Sequence, residues 1–312
     1  MPRSSTATAI LLGLVSALFF STTFVVNRAI GLAGGHWVWT AVLRYAWALV
    51  LLGGWFTIKG TLPQVLSAFR RHAAFWVLAG SIGYGAFYAS LSFASTRAPG
   101  WIVACTMQFT ILASPIVLRM FGARVRRSGI ALLLLIFAGI VLVNLDHRSA
   151  SSTAQFLGVM PVLIAAFAYP IGNQLVQEGR NGGRGWIPAL DDPISADASA
   201  RVLLMTIGSV PFWIAVLLLP HTPVPTTQQV VGTLIVALCG TVIGTSIFLV
   251  ARQSAGRDPN LIAKVDATQA GYTAFSLGGE VLFLGGALPG PVGVVGLVLV
   301  LGGLAVYTTT AK

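Results

Sequence analysis

The residues able to do acid–base, nucleophilic or metal chemistry are not gathered anywhere in this sequence. His36, His72, His147 and His221 are dispersed over four different polar stretches, whereas a catalytic set must converge on one reacting atom. Cys105 and Cys239 both fall inside apolar runs with no C-x-x-C spacing, so each reads as a small buried hydrophobe, and neither a disulfide nor a metal site is expected. Gly182-Gly183 lacks the following lysine and hydroxyl residue of a phosphate-binding loop. No catalytic residue and no cofactor is expected, and an enzyme is not the expected class.

What remains is recognition chemistry. Tyr84, Gln108, Thr241, Gln269 and Tyr272 stand deep inside long apolar runs, where a polar group without a partner costs several kcal/mol. They must face protein, solvent or substrate, and they are the candidate substrate-binding residues together with Tyr88 and Arg44. Tyr84 and Tyr88 are four apart, so on a regular helix they share a face and could form an aromatic wall for a planar or cationic molecule; interhelical packing is the alternative. Gln108 and Gln269 could offer donors and acceptors to one ligand, or each could make a helix–helix hydrogen bond. Arg44 within an apolar run must snorkel, pair or meet an anionic group. Asp266 and Glu280 are carboxylates embedded in apolar runs. Asp266 is the candidate proton-coupling residue, because desolvation would let proton and substrate compete there; a salt bridge to Arg252, Arg257 or Arg201 is the alternative.

These residues need elements to hold them, and the composition says which. The 312 residues are 56% hydrophobic and 9% charged, far below the roughly 25% charged residues of a soluble domain. Apolar runs recur near 6–30, 36–58, 73–96, 99–121, 128–145, 156–178, 199–219, 230–252, 260–285 and 290–310, each close to the roughly 20 residues needed to cross a bilayer. The first run exceeds a signal-peptide core and is read as a helix. Ala98-Pro99-Gly100, Asp258-Pro259-Asn260 and Leu288-Pro289-Gly290-Pro291 break the pattern between runs. Trp37, Trp39, Trp55 and Trp76 are expected to anchor helices at headgroup depth, and Pro161, Pro170 and Pro211 to interrupt the sixth and seventh helices.

The +11 formal charge does not imply a nucleic-acid partner, because the basic residues sit between apolar runs rather than on one reachable face. With a cytoplasmic N-terminus, fifteen basic residues (Arg3, Lys59, Arg70, Arg71, Arg119, Arg124, Arg126, Arg127, Arg180, Arg184, Arg201, Arg252, Arg257, Lys264 and Lys312) fall inside. Only Arg28, Arg97 and Arg148 fall outside. The positive-inside rule then puts both termini in the cytoplasm of a multi-pass protein of the bacterial inner membrane.

The chain also matches itself. A shift of 160 sets Gly80 on Gly240, Arg97 on Arg257 and Pro99 on Pro259; a shift of 164 sets Gly129 on Gly293 and Gly139 on Gly303. Arg44 falls on Arg201 at 157, and Asn27 on Asn173 at 146. Colinear matches with drifting offsets read as two five-helix halves, 1–147 and 148–312, the second including the loop 179–199. An odd number of helices per half inverts the second copy. The expected fold is an all-α integral membrane protein of ten transmembrane helices in a 5+5 inverted repeat.

Arg44 early in the second helix, the glycine-punctuated fifth and tenth helices, Pro115 in the fourth and Gly279-Glu280 late in the ninth make the chain resemble the drug/metabolite transporter superfamily, in its ten-helix EamA-like and multidrug-efflux branch. Pro115 has no proline counterpart in the ninth helix, and Phe121-Gly122 stands where the first half would carry its own Gly-Glu pair. The resemblance implies an exporter of amino acids, related metabolites or drug-like cations working by alternating access. Its partners would be a small-molecule substrate, protons and membrane lipids, with the chain acting as a monomer or a dimer. A membrane interaction protein or a lipid-handling enzyme is the alternative.

Overall fold

The computed structural model describes residues 6–122, 130–146, 152–219, 223–254 and 259–310. Arg3, Arg124, Arg126, Arg127, Gly129, Arg148, Arg257 and Lys312, used above for orientation or internal matching, lie outside the described residues.

Among the described residues the chain is helical, with an isolated bridge between Arg184 and Ile187 but no strand. The helices are α1 (Thr6–Leu32), α2 (Trp37–Ile58), α3 (Leu62–Arg71), α4 (Ala73–Ser95), α5 (Gly100–Met120), α6 (Ile130–Asp146), α7 (Ser152–Arg180), α8 (Ala198–Leu217), α9 (Thr227–Arg252), α10 (Pro259–Ala267), α11 (Gly271–Leu284) and α12 (Pro291–Thr310). Seven of them, α1, α2, α4, α5, α7, α8 and α9, are long and apolar enough to cross a membrane. In α6 and α12 only the shorter apolar stretches Leu134–Asp146 and Pro291–Val306 stand out.

Four of these helices differ from the regular cylinders that the apolar runs predict. α4 widens to a π-helix over Ser81–Ala86, and α9 does the same over Ala237–Gly244. α5 breaks between Met107 and Thr110, and the predicted ninth helix breaks into α10 and α11 at the 3-10 turn Thr268–Ala270. Pro161, Pro170 and Pro211, by contrast, lie inside helices that remain continuous. A proline removes one helical hydrogen bond, and neighbouring helices can absorb the loss.

α3 is a short amphipathic helix absent from the sequence expectation. It buries Val65 and Ala68, three residues apart on one face, and exposes Gln64, Ser67, Arg70 and Arg71. Its apolar face packs with Ile187 and Leu190 from the 181–197 segment, and with Leu52, Phe56, Phe75 and Trp76. That segment is therefore a folded cap rather than a free loop. Gly183, with φ +76°, has its would-be Cβ position 2.5 Å from the carbonyl oxygen of Ile187, so only glycine fits the turn. Arg71 pairs with Asp192 at 3.0 Å, and Asp197 caps α8 through the N–H groups of Ser199 and Ala200. Trp76 is buried in this cluster, so it packs the core instead of anchoring at an interface; Trp55 stays about half exposed, with the Lys59 ammonium 4.6 Å from its ring centre.

Small residues set the closest approaches. A Cβ on Gly208 would lie 2.0 Å from the Trp76 carbonyl oxygen, and one on Gly172 would lie 2.3 Å from the Gly83 Cα. These contacts pull α8 and α7 against α4. Likewise a Cβ added at Gly139 or Gly296 would lie 2.7 Å from the other's carbonyl oxygen, a close approach that seats α6 on α12.

Candidate functional site

The helices enclose a central cavity of about 740 Å³. Each wall reflects a local feature of the chain. α1 contributes Phe20, Thr23 and Phe24; α2 contributes Arg44 and Tyr45; the π-widened turn of α4 and the turn after it present Tyr84, Phe87 and Leu91. The break in α5 presents Gln108 and Thr110, the π-segment of α9 presents Gly240 and Thr241, and the turn between α10 and α11 presents Gln269 and Ala270. Irregular helix is thus concentrated where the wall is, which is where freed backbone groups can be satisfied by protein or cavity.

Of the residues singled out from the sequence, Arg44, Tyr84, Gln108, Thr241, Asp266, Gln269 and Tyr272 all line this one cavity. Tyr88 does not. It is fully buried behind the wall, where its hydroxyl bonds Asn27 at 3.0 Å. The shared face expected of Tyr84 and Tyr88 assumes 3.6 residues per turn, and the π-helix that ends at Ala86 removes that register. Gln108 and Gln269 do not meet: Gln108 donates to the Thr273 hydroxyl at 3.2 Å, and Gln269 donates to the Gly13 carbonyl at 3.2 Å.

The aromatic residues form two groups. Tyr45 stacks on Trp213 at 5.2 Å, lies 5.4 Å from Tyr84 and meets Tyr88 edge-on at 5.6 Å. The Arg44 guanidinium sits over the Tyr88 ring at 4.0 Å. On the other side Tyr272 stacks on Phe24 at 5.2 Å. Tyr169 from α7, its ring 5.1 Å from Phe87, and Tyr45 are cavity residues that sequence reasoning missed. Tyr169 precedes Pro170 within an apolar run, a polar aromatic that could have been noticed there.

The two ends of the cavity differ. At one end Arg252 pairs with Asp266 at 3.1 Å, with side chains 48% and 39% exposed, and both line the cavity. Of the alternatives weighed for Asp266, the structure therefore has the pair with Arg252. At the other end no cavity residue reaches the helix termini. There Glu280 accepts the Trp101 N–H at the start of α5 at 3.2 Å and stands 3.9 Å from Arg28, while Arg28 donates to the Ser95 carbonyl. Gln229 donates to the His36 carbonyl at 2.9 Å, and Asp146 accepts the Gly290 N–H beside α12 at 2.7 Å. Among the described residues no group of three or more His, Cys, Asp or Glu side chains could hold a metal ion.

The sequence matches the family model described as "Putative multidrug resistance efflux transporter" (EmrE) over residues 7–312. The chain belongs to this family. It is accordingly a multi-pass membrane protein of an efflux-transporter family within the drug/metabolite transporter superfamily. It is 34% identical over 320 residues to "Uncharacterized protein YjlA" of Bacillus subtilis (strain 168), covering 97% of this chain and 95% of that one. It is 33% identical over 284 residues to "Uncharacterized 42.1 kDa protein in intracellular alkaline protease 3'region" of Shouchella clausii, covering 87% of this chain and 72% of the other. A solved crystal structure covers 97% of this chain and 96% of its own, with a TM-score of 0.59 at 16% identity, a likeness of fold alone.

Proposed function

We propose that this family member exports small organic molecules across the bacterial inner membrane by alternating access, with the central cavity as the substrate chamber. The observation that carries this reading is the asymmetry of that cavity: its lining includes the exposed Arg252–Asp266 pair, and none of its lining residues reaches the opposite end, where Glu280 accepts the buried Trp101 N–H. A chamber sealed at one end and accessible at the other is one half of a transport cycle.

The reading includes ten spans in two inverted halves, 1–147 and 148–312, with both termini cytoplasmic. Its support is the recurrence of the same irregularities in the same order. A π-segment in α4 is matched by one in α9, and a break beside Gln108 is matched by a break at Gln269. Two such halves, each with a bendable wall, can rock about a fixed site. In this orientation the accessible end is cytoplasmic, as an exporter loading from inside requires. Arg44, Tyr84, Gln108, Thr241, Gln269 and Tyr272 are the proposed substrate contacts, Tyr88 acts through Arg44, and Asp266 is the proposed proton site, released from Arg252 when protonated.

The test is efflux from proteoliposomes holding the purified protein. Tyr84→Ala, Gln269→Ala and Tyr272→Ala are expected to lower transport while the proteins insert and elute as wild type. Full transport by all three variants would remove the cavity from the mechanism.

A further inference from the structure

The cavity that serves as substrate chamber in the reading above has an electrostatic character that names the substrate class, and this inference rests on that reading. Among the described residues three charged side chains line the cavity: Arg44, Arg252 and Asp266. Arg252 and Asp266 neutralise each other at 3.1 Å, which leaves one positive charge. Arg44 has no carboxylate within ion-pair distance among the described residues, and its Nε is buried without a hydrogen-bond partner.

The surroundings hold this cation against tyrosines and supply no carboxylate to it among the described residues. One face of the guanidinium lies against the Tyr88 ring at 4.0 Å, and Tyr88 is itself fixed by Asn27 at 3.0 Å. Gly240 in the π-segment of α9 packs close to Arg44, where an added Cβ would lie 3.8 Å from Nη2 and 3.1 Å from the Thr23 hydroxyl, and the guanidinium lines the cavity beside them. The remaining polar wall is made of neutral amides and hydroxyls, and most of the rest is aromatic or aliphatic. A guanidinium in such a medium repels a second cation and favours an anion whose geometry matches its planar fork. Carboxylate is the smallest organic group with that match.

We propose that the transported molecules are organic anions, a carboxylate held by Arg44 on an apolar body that packs against the aromatic wall, and that cations are disfavoured. A lipid headgroup offers the same anionic chemistry, so the test separates the two sources.

Calorimetric titration of the protein in phosphatidylcholine nanodiscs, with phenylacetate, phenylacetamide and phenethylamine, compares one ring carrying an anionic, a neutral and a cationic group. Phenylacetate is expected to bind at least about tenfold more tightly than the amide, the scale of one charge-assisted bond, with the amine weakest. Arg44→Gln is expected to erase the difference, and Arg44→Lys to keep part of it, because lysine holds the charge without the fork. The wild-type series alone decides the matter if a variant fails to insert. Amine or amide binding as tightly as phenylacetate, or a preference that survives Arg44→Gln, overturns the anion assignment and leaves the transport reading standing. Unchanged phenylacetate affinity after adding phosphatidylglycerol supports a free ligand; a tenfold loss gives Arg44 to lipid and overturns the proposal. Counterflow of the same three compounds in proteoliposomes separates the two readings: phenethylamine or phenylacetamide crossing while phenylacetate does not overturns the anion assignment alone, whereas phenylacetate that binds through Arg44 but does not cross overturns the transport reading.

Discussion

The two ends of the cavity use the same pair of groups, a carboxylate and a guanidinium, to opposite effect. At the Glu280 end the carboxylate is buried and the arginine partly so, with side-chain exposures of 18% for Arg28 and 6% for Glu280, and the charges stand 3.9 Å apart. The carboxylate's shorter contact is with the Trp101 N–H, so Glu280 serves as a cap that α11 lends to α5. At the Asp266 end the pair is tighter, 3.1 Å, yet both partners are exposed by more than a third. An exposed pair is worth about 0–1 kcal/mol, whereas a buried acceptor removed from its donors costs several times more. Distance alone would rank the two ends the wrong way round. Burial makes the Glu280 pair costly to separate and leaves the Arg252–Asp266 pair cheap to separate.

The sharpest way to break this comparison is chemical access. In a background lacking Cys105 and Cys239, a cysteine replacing Thr245, which lines the cavity, is expected to react with a membrane-impermeant thiol reagent from one side only. A cysteine replacing the buried Asn27 is expected to stay unlabelled from either side. Equal labelling of both positions would mean that the Glu280 end is not closed.

The next largest effect is on stability. Glu280→Ala leaves the Trp101 N–H buried without its acceptor and Arg28 without its ion-pair partner, and is expected to cost about 2–4 kcal/mol, read as a lower unfolding midpoint in detergent. Glu280→Gln keeps an acceptor and should lose less. A midpoint unchanged by Glu280→Ala would mean the seal is held by packing alone.

Gly208→Ala tests the wall that α8 and α4 build, because its methyl would lie 2.0 Å from the Trp76 carbonyl oxygen. Overpacking of that kind costs about 1–3 kcal/mol, and the variant is expected to unfold at lower temperature than wild type. Gly53→Ala, where nothing lies within 4 Å of the added Cβ, is the matched control and should not.

The smallest stability effect belongs to Asp266→Asn, expected to shift unfolding by less than about 1 kcal/mol because the pair is exposed. Its signature should instead be functional: loss of export driven by a pH gradient, with exchange down a substrate gradient retained. Normal gradient-driven export by the Asn variant would remove Asp266 from coupling and leave it as half of an exposed ion pair.

Helix positions were legible because an apolar run of bilayer length has few other solutions. The runs at 36–58 and 199–219 end close to Trp37–Ile58 and Ala198–Leu217. α3 was hidden because its sequence is too polar to read as a span, and its apolar face has meaning only against Ile187 and Leu190. The prolines misled for a related reason: Pro161 and Pro211 are local signals, but whether a helix breaks depends on what surrounds the freed carbonyl. The break beside Gln108 carries no local signal, since neither glycine nor proline stands there, and it goes with a hydrogen bond to Thr273 on another helix.

Polarity in apolar runs was enough to select Arg44, Tyr84, Gln108, Thr241, Gln269 and Tyr272 as residues needing company, because burying such groups unpaired is costly wherever they fall along the chain. The sequence by itself thus determined a helical, membrane-embedded chain and most of the polar groups that meet at its centre. Only the tertiary structure decided that Tyr88 stands behind the wall and Tyr84 in it, that Asp266 meets an arginine while Arg44 meets tyrosines, and that the cavity reaches one end and stops short of the other. Each of these depends on contacts between residues far apart in the chain, on how wide a helical turn becomes under that packing, and on which side of a charge is left facing empty space.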